Sequence, residues 1–421
     1  MMKKALVLIS FLSVMFSLSA QQFVANYDES KVPAYTLPDP LIFKDGSRVS
    51  SKEDWEKRGA EIYKTFENEV YGICPEWKGK LTSHELSSDS HALNNMAIRK
   101  EVNIKLQNNN NELNFTLLIY LPHSSRPVPV FLGYNFQGNH SVTDEPGISI
   151  TSAWMRNDPE HGVTEHKATE EGRGKSASRW QVREIISRGY GLVTLYYGEI
   201  DPDFDDGFRN GVHGLFEQRP DSTSWGSIAA WAWGLSRVMD WIESNPAIDS
   251  KEVIVIGHSR LGKTALWAGA SDKRFAMAIS NNSGCGGAAL SKRIYGETVG
   301  LINSDFPHWF CDNFNKYNDN EVCLPVDQHE LLALMAPRPV YVASAEDDFE
   351  ADPKGEFQAC VNASPVYVLL GCKRFATNGM PAVNNPVTGD IGYHIRSGAH
   401  DVKLYDWQRY LDFADYHLKK K

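Results

Sequence analysis

One stretch near the middle of the chain constrains the fold more than any other. Residues 253–263 read VIVIGHSRLGK, so β-branched residues are followed by Gly257, by Ser259 and then by a helix-forming segment. A sharp strand-to-helix turn presents a serine hydroxyl at the edge of a sheet and leaves the next N–H, that of Arg260, available to a developing oxyanion. We therefore predict that Ser259 is a nucleophile. We also expect Gly257 to be small because strand and helix backbones approach closely there.

Strand and helix patterns alternate on both sides of this stretch. Strands are predicted at residues 95–106, 113–121, 129–132, 191–197, 253–256, 275–280, 339–345 and 391–395. Helices are predicted at residues 180–187, 225–243, 261–270 and 406–418, with another ending at 331–335. Strands separated by helices favour a mostly parallel sheet covered by helices on both faces. With the serine turn, this predicts an α/β-hydrolase fold, doubly wound, with an N-terminal elaboration.

The first twenty residues are typical of a secretory signal. Lys3 and Lys4 precede an apolar run over residues 5–18, and small residues follow at 17–20. The run is shorter than the roughly 20 residues that span a bilayer, which disfavours the alternative of a membrane anchor. We predict a signal peptide at residues 1–20, a single catalytic domain at 21–421, and a secreted or periplasmic protein without a membrane span.

Composition excludes some classes of function. Lys and Arg total 43 against 53 Asp and Glu, a net charge of −10, and no basic cluster stands out, so we expect no nucleic-acid partner. The six cysteines include no C-x-x-C pair, which disfavours a structural zinc site, and we expect buried thiols with at most one disulfide. We expect a monomer that needs no metal and no organic cofactor.

A serine hydroxyl is a weak nucleophile, so a base and an orienting acid must come from elsewhere. In this fold they follow the serine in the order acid, then histidine. His400 follows the small residues Gly398 and Ala399 in a loop after the last predicted strand, and we predict that it is the base. The loop after the strand at 339–345 offers the acid but leaves the choice open among Glu346, Asp347, Asp348 and Asp352. We expect a second oxyanion donor within residues 135–138.

Other histidines fit the role of base less well. His258 directly precedes the serine, and a side chain at that position normally points away from it, so we predict a structural role. His394 falls within a predicted strand. His308 and His329 precede the acid loop and break the expected order.

Several further stretches match one known family in the same order along the chain. They are SGCGG at 283–287, GET at 296–298, FPHWF at 306–310, VDQHE at 326–330, APRP at 336–339, ADPKGEF at 351–357 and GAHD at 398–401. Together with residues 257–263 they resemble the bacterial branch of the glucuronoyl esterases, over nearly the whole chain after the signal. The resemblance implies cleavage of esters between lignin alcohols and the glucuronic acid groups of xylan. The expected substrate is thus a glucuronoxylan or lignin–carbohydrate ester.

The resemblance also implies roles for individual residues. Asp348 matches the acid of many bacterial members, whereas the position that fungal members use is Asn282 here, which cannot carry the charge. Arg260 resembles the arginine that supports the oxyanion with backbone and side chain. Lys263 and Glu297 match residues that bind the uronate hydroxyls.

Sugar recognition departs from the family pattern at one position. The family usually has Trp two residues after the acid, and this chain has Glu350, which offers no apolar face. Trp309 is a candidate sugar platform or a core residue, and the sequence leaves both interpretations open. Two other functions therefore stay in view: another carbohydrate ester hydrolase, such as an acetyl xylan esterase, and a weakly catalytic carbohydrate-binding relative.

Overall fold

The computed structural model describes residues 23–216 and 221–419, so the predicted signal peptide lies outside the described residues. The strands are β1 Lys80–His91, β2 Ala97–Asn108, β3 Asn111–Pro122, β4 Val128–Asn135, β5 Val163–Thr164, β6 Lys167–Ala168, β7 Gly191–Tyr196, β8 Ile248–His258, β9 Met277–Asn281, β10 Val340–Ala345 and β11 Ile391–Arg396. The α-helices are α1 Lys52–Phe66, α2 Ala92–Asn95, α3 Ala177–Trp180, α4 Val182–Ser187, α5 Ser227–Ile242, α6 Arg260–Ser271, α7 Val299–Asp305, α8 Gln328–Ala333, α9 Pro353–Leu369 and α10 Leu404–Leu418.

Nine of these strands form one sheet, in the order β1-β2-β3-β7-β4-β8-β9-β10-β11. The first three are antiparallel to their neighbours, and the six from β7 to β11 in this order run parallel. Strands β5 and β6 pair separately as a two-residue hairpin. The predicted α/β-hydrolase fold, with its mostly parallel sheet, is confirmed.

The core lies on both faces of the sheet because side chains alternate along each buried strand. In β8, Val253 and Val255 belong to a cluster shared with helices α1, α5, α6, α8 and α9. Ile254 and Ile256 belong to the opposite cluster, where α4 and α10 pack. Helices thus cover both faces, as a doubly wound sheet requires.

Some elements differ from those that the sequence predicts. Helices α1 and α9 and strand β1 were not expected. Of these, α1 and β1 belong to the N-terminal elaboration, which thus contributes a covering helix and an edge strand. The helix predicted over 180–187 is divided between α3 and α4, because Gln181 adopts a left-handed conformation with φ of 41°. The other strand predictions agree within a few residues, except that β8 begins earlier, at Ile248.

Three further features bear on the sequence predictions. All six cysteines are free thiols, so the one disulfide that was allowed for is not formed. No helix within residues 23–216 and 221–419 is both long and apolar enough to cross a membrane. The same residues contain no group of three or more His, Cys, Asp or Glu placed to hold a metal ion.

Candidate active site

The predicted catalytic residues follow neighbouring strands of the sheet. Ser259 follows β8, Asp348 lies in the loop after β10, and His400 lies in the loop after β11. Strands β8 to β11 are adjacent and parallel, so their carboxyl ends meet at one edge of the sheet. All eight predicted site residues line a single cavity of about 360 Å³ at this edge: Ser259, Arg260, Lys263, Glu297, Trp309, Asp348, Glu350 and His400.

Ser259 occupies a strained turn between β8 and α6. Its backbone has φ of 57° and ψ of −130°, a conformation that costs a non-glycine residue about 1–3 kcal/mol. A Cβ on Gly257 would lie 1.8 Å from the carbonyl oxygen of Leu261, which confirms that the strand and helix backbones are too close for any side chain there. Arg260 is the first residue of α6, where backbone N–H groups have no partner within the helix.

His400 is hydrogen-bonded to one carboxylate of the acid loop. Its Nδ1–H donates to Oδ2 of Asp348 at 2.6 Å, and the amide of Asn282 donates to the same oxygen at 2.6 Å. Burial raises the pKa of Asp348, but the hydrogen bonds and the charge of His400 outweigh it, so the net pKa is lowered. No hydrogen bond joins the Ser259 hydroxyl to His400 among the described residues, although both side chains line the cavity.

The other carboxylates of the acid loop lie apart from His400. Glu346 and Asp347 are exposed. Asp352 caps the N-terminus of α9 and accepts a hydrogen bond from the buried Arg293 at 2.7 Å. The geometry therefore singles out Asp348, which spacing alone left among four candidates.

The remaining histidines have other partners. His258 is buried, with its Nδ1 2.6 Å from Oδ1 of Asn281, and burial and the neighbouring charge of His400 hold its pKa well below the usual value. His394 is buried in β11, and its Nε2 lies 2.8 Å from Oδ1 of Asp406. His329 contacts the backbone of Pro38. None of these contacts reaches Ser259.

A buried carboxylate that the sequence analysis did not single out holds Arg260. Asp203 accepts hydrogen bonds from the guanidinium of Arg260, from Nε2 of His308 at 2.9 Å, from Nε1 of Trp309 at 2.8 Å and from the hydroxyl of Tyr197 at 3.0 Å. Burial raises the pKa of Asp203, but these donors and the charge of Arg260 outweigh it, and the pKa falls well below its ordinary value. Asp203 is therefore a fixed anion beside the cavity.

Trp309 has features of both interpretations that the sequence left open, a core residue and a sugar platform. It is 2% exposed and stacks on Phe306, with ring centroids 3.7 Å apart. The guanidinium carbon of Arg260 lies 4.7 Å from the Trp309 ring centroid. Trp309 is thus a buried side chain that still contributes to the cavity lining.

Polar groups line the part of the cavity next to α6. Lys263 is buried and donates from Nζ to the carbonyl of Ser283 at 2.7 Å and to Oε2 of Glu297 at 3.1 Å. Glu350 is exposed at the rim, and partial burial, followed by the negative charges of Glu297 and Asp348, raises its pKa. The cavity therefore presents two paired cations, Arg260 and Lys263, and several carboxylate acceptors.

The segment predicted to supply a second oxyanion donor lies next to Arg260. Strand β4 ends at Asn135, and the Phe136 ring centroid is 5.9 Å from the guanidinium carbon of Arg260. Phe136, Gln137 and Arg260 together line a second cavity of about 220 Å³ beside the first. A backbone N–H of residues 135–138 stays the predicted donor.

Two other buried residues support the site and were not predicted. Glu356 accepts hydrogen bonds from the N–H groups of Ser283 and Gly284, at 2.8 and 3.1 Å, directly after Asn282. Arg396 donates to backbone carbonyls on both sides of His400. Only the match at 351–357 pointed toward Glu356, and nothing in the local pattern pointed to Arg396.

Comparisons with known proteins agree with this geometry. A family model described as glucuronyl esterase, fungi, matches residues 182–371. The carbohydrate esterase MZ0003, from an unknown prokaryotic organism, is 49% identical over 399 residues, covering 93% of this chain and 92% of that protein.

Solved structures give the same result. A promiscuous CE15 esterase from a marine bacterial metagenome has 48% identity and a TM-score of 0.89, covering 94% of this chain and 100% of that one. The glucuronoyl esterase from Solibacter usitatus has 47% identity and a TM-score of 0.86, covering 92% and 99%. The chain is therefore a carboxylic-ester hydrolase of the α/β-hydrolase fold. Within that class it belongs to the glucuronoyl esterases, carbohydrate esterase family 15.

Proposed function

We propose that the protein hydrolyses esters of glucuronic acid, of the kind that link xylan side groups to lignin alcohols. The observation that carries this proposal is the convergence of Ser259, the His400–Asp348 pair and the polar pair Lys263–Glu297 on one cavity. The first three provide acyl transfer, and the last two provide hydroxyl recognition. The named activity of the Solibacter relative supports the same substrate class.

The first half of the reaction acylates the enzyme. Ser259 Oγ attacks the C6 carbonyl of the uronate while Nε2 of His400 takes its proton. Asp348 accepts the hydrogen bond from Nδ1–H, fixes the tautomer and stabilises the imidazolium. The N–H of Arg260 and its guanidinium stabilise the tetrahedral oxyanion, and His400 then protonates the departing alcohol.

The second half frees the acid. Water attacks the acyl group with His400 as base, and the same donors stabilise the second tetrahedral intermediate. Ser259 leaves with the returned proton, and the uronate is released. In this scheme the protons come from Ser259 and from water and pass through His400, and protein groups supply every stabilising charge, so the proposal needs no cofactor or metal.

We propose that a polar wall and an apolar wall of the cavity both contact the sugar. Lys263 donates to uronate hydroxyls and Glu297 accepts from them, and their mutual hydrogen bond orients both groups before binding. Trp309 and Phe306 provide the adjoining apolar wall. Glu350 replaces the family's Trp and offers a hydrogen-bond acceptor instead of a ring.

Release of glucuronic acid from benzyl glucuronate tests this function. The purified protein is expected to release acid, and Ser259→Ala is expected to reduce the rate to near background. Release by neither protein would remove the proposed function. Equal, slow release by both would instead support a carbohydrate-binding protein with little catalysis.

A broader ester preference is a second candidate. Glu350 removes an apolar contact that would select the sugar ring, and one relative of 48% identity is described as promiscuous. Comparing kcat/KM for benzyl glucuronate and for acetylated xylan decides between the two. A higher kcat/KM on acetylated xylan than on benzyl glucuronate would favour acetyl xylan esterase activity.

We also propose that the protein is exported as a monomer after cleavage behind residue 20. Lys3, Lys4 and the apolar run that follows them support export and cleavage. N-terminal sequencing of the exported protein is expected to begin at Gln21, and light scattering is expected to give the mass of one chain.

A further inference from the structure

Three chain segments meet at the rim of the catalytic cavity, next to Glu350. The N–H of Gly296 donates to the carbonyl of Asn26 at 2.8 Å, and the N–H of Glu297 donates to the carbonyl of Glu350 at 2.9 Å. The Tyr295 hydroxyl donates to the carbonyl of Tyr27 at 3.3 Å. Residues 26–27, 295–297 and 349–350 thus form one continuous surface that begins inside the cavity.

This surface carries exposed aromatic rings. Tyr27 and Phe349 are each 53% exposed. The Tyr27 ring packs edge-on against Tyr295, with centroids 6.3 Å apart. A single exposed apolar side chain needs no explanation, but a group of them beside a catalytic cavity is typical of a binding surface. We call Tyr27, Tyr295 and Phe349 the aromatic rim.

Ion pairs hold the chain next to the aromatic rim in place. Glu29, two residues after Tyr27, accepts hydrogen bonds from Arg293 at 2.5 Å and from Lys354 at 2.7 Å. Arg293 is itself 2% exposed and bonded to Asp352. A surface that is ordered before binding loses less conformational entropy when a ligand arrives.

We propose that the aromatic rim binds sugar rings of the polysaccharide chain that carries the esterified uronate. The inference rests on the proposed function, because it takes the uronate to be bound by Lys263 and Glu297. The apolar faces of neutral sugar rings pack on exposed aromatic rings, and their hydroxyls donate to carboxylates such as Glu350. Aromatic side chains with a polar end suit a ligand that is apolar on one face and wet at its edges.

The location favours the sugar chain over the alcohol. The alcohol leaves from the ester carbonyl, beside Ser259 and His400. The polysaccharide is attached through the sugar ring, so it leaves the cavity on the side of Glu297. The rim begins at that side, because Glu297 is bonded to Glu350 and directly follows Gly296. Carboxylates at the rim also disfavour an anionic ligand, whereas xylose rings are neutral.

Two substrates and two variants test this proposal. Tyr27→Ala and Phe349→Ala are compared with the parent on benzyl glucuronate and on the methyl ester of a glucuronic acid carried by a xylo-oligosaccharide. Each variant is expected to raise KM for the oligosaccharide ester by about 3- to 10-fold and to leave both constants for benzyl glucuronate unchanged. Tyr27→Phe, which keeps the ring, is expected to behave as the parent. Leu86→Ala removes an exposed apolar side chain on β1, at the far edge of the sheet, and serves as the control.

Other outcomes would overturn the proposal. Unchanged KM values on both substrates would mean that the rim binds no sugar. A higher KM on benzyl glucuronate alone would assign the rim to the alcohol. If the parent released no acid at all, the proposed function would fail. Calorimetry would still test whether the rim binds sugar, by comparing the affinity of Ser259→Ala for the oligosaccharide ester with that of Ser259→Ala combined with Tyr27→Ala. Equal affinity of these two proteins would contradict it.

Discussion

The oxyanion role proposed for Arg260 requires a flexible side chain to keep one position, and Asp203 is the group that holds it. The carboxylate is fully buried and accepts four side-chain donors, so neither partner can move without breaking hydrogen bonds. An oxyanion donor stabilises charge only when its position is fixed in advance.

We therefore expect Asp203→Asn to lower kcat on benzyl glucuronate by about 10²-fold, with a much smaller change in KM. The amide keeps the shape but removes the charge that faces the guanidinium. Asp205→Asn, at an exposed residue of the same loop, is the matched control. An unchanged kcat in Asp203→Asn would show that Arg260 needs no such support.

Glu356 gives a prediction on stability against pH. Burial raises its pKa from 4.5 to about 8, so the folded protein keeps a proton that the unfolded chain has released. The contribution of Glu356 to the free energy of unfolding is complete below the pKa that this carboxyl has in the unfolded chain. It is lost as the pH rises toward 8, and the free energy of unfolding then falls by up to about 1.4 kcal/mol per pH unit.

We expect the free energy of unfolding of the parent, relative to Glu356→Gln, to fall as pH rises from 5 to 8. Urea unfolding at each pH measures it, and Glu346→Gln at an exposed carboxylate controls for the substitution itself. A difference that stays constant or grows over this range would contradict the assigned protonation.

Some residues of the candidate site can be predicted from the sequence, and others cannot. The sequence predicts Ser259 from the local strand–turn–helix pattern and His400 from the order in which acid and histidine follow the serine. Asp348 required the family resemblance, since four carboxylates share its loop. Asp203 acquires its partners only through folding, because His308 lies about a hundred positions away along the chain. Such a contact leaves no local pattern.

At the scale of elements, the loop after β11 depends on one buried arginine. Arg396 donates to the carbonyls of Ser397 at 2.9 Å, Ala399 at 2.9 Å and Asp401 at 2.5 Å, which bracket His400. Asp406 in α10 fixes Arg396 through Oδ2 at 2.8 Å. The position of the imidazole therefore depends on the contact between a strand end and the last helix.

We expect Arg396→Met to lower kcat by at least tenfold while KM changes little, because the loop loses three hydrogen bonds beside the base. Arg396→Lys should recover part of the loss, and Arg126→Met, at an exposed loop residue, should match the parent. Unfolding curves separate this effect from stability. A variant with lower stability and unchanged kcat would contradict a positioning role.

Elements with clear periodicity were predictable, and others were not. The strands that follow β1 in the nine-stranded sheet carry apolar runs or alternation. Strand β1 has the polar sequence KLTSHELSSDSH and lies at the sheet edge, so no buried face marks it. Helix α9 contains Pro365, which is typical of helix ends. Tertiary packing, and not a local sequence pattern, therefore determines both strand β1 and helix α9.

For the whole molecule, the sheet is what converts distant sequence positions into one site. Four adjacent parallel strands bring residues 259, 282, 348 and 400 to one edge, and two apolar clusters hold the sheet from either face. This stability comes from burial, because all six thiols are free.

We expect the Tm to be the same with and without a strong reductant. Loss of a native disulfide would cost about 2–5 kcal/mol and lower the Tm by several degrees. Thermal unfolding under both conditions measures this, and a clear drop in the reductant would mean that cysteines pair in the folded protein.

The proposed mechanism requires Ser259 to become acylated by the uronate. Mass spectrometry of the protein, quenched in acid within the first turnovers of benzyl glucuronate, tests it directly. We expect a mass increase of one glucuronic acid less one water, located on the peptide that contains Ser259 and missing from Ser259→Ala. Acid release without any adduct, together with undiminished release by Ser259→Ala, would contradict it.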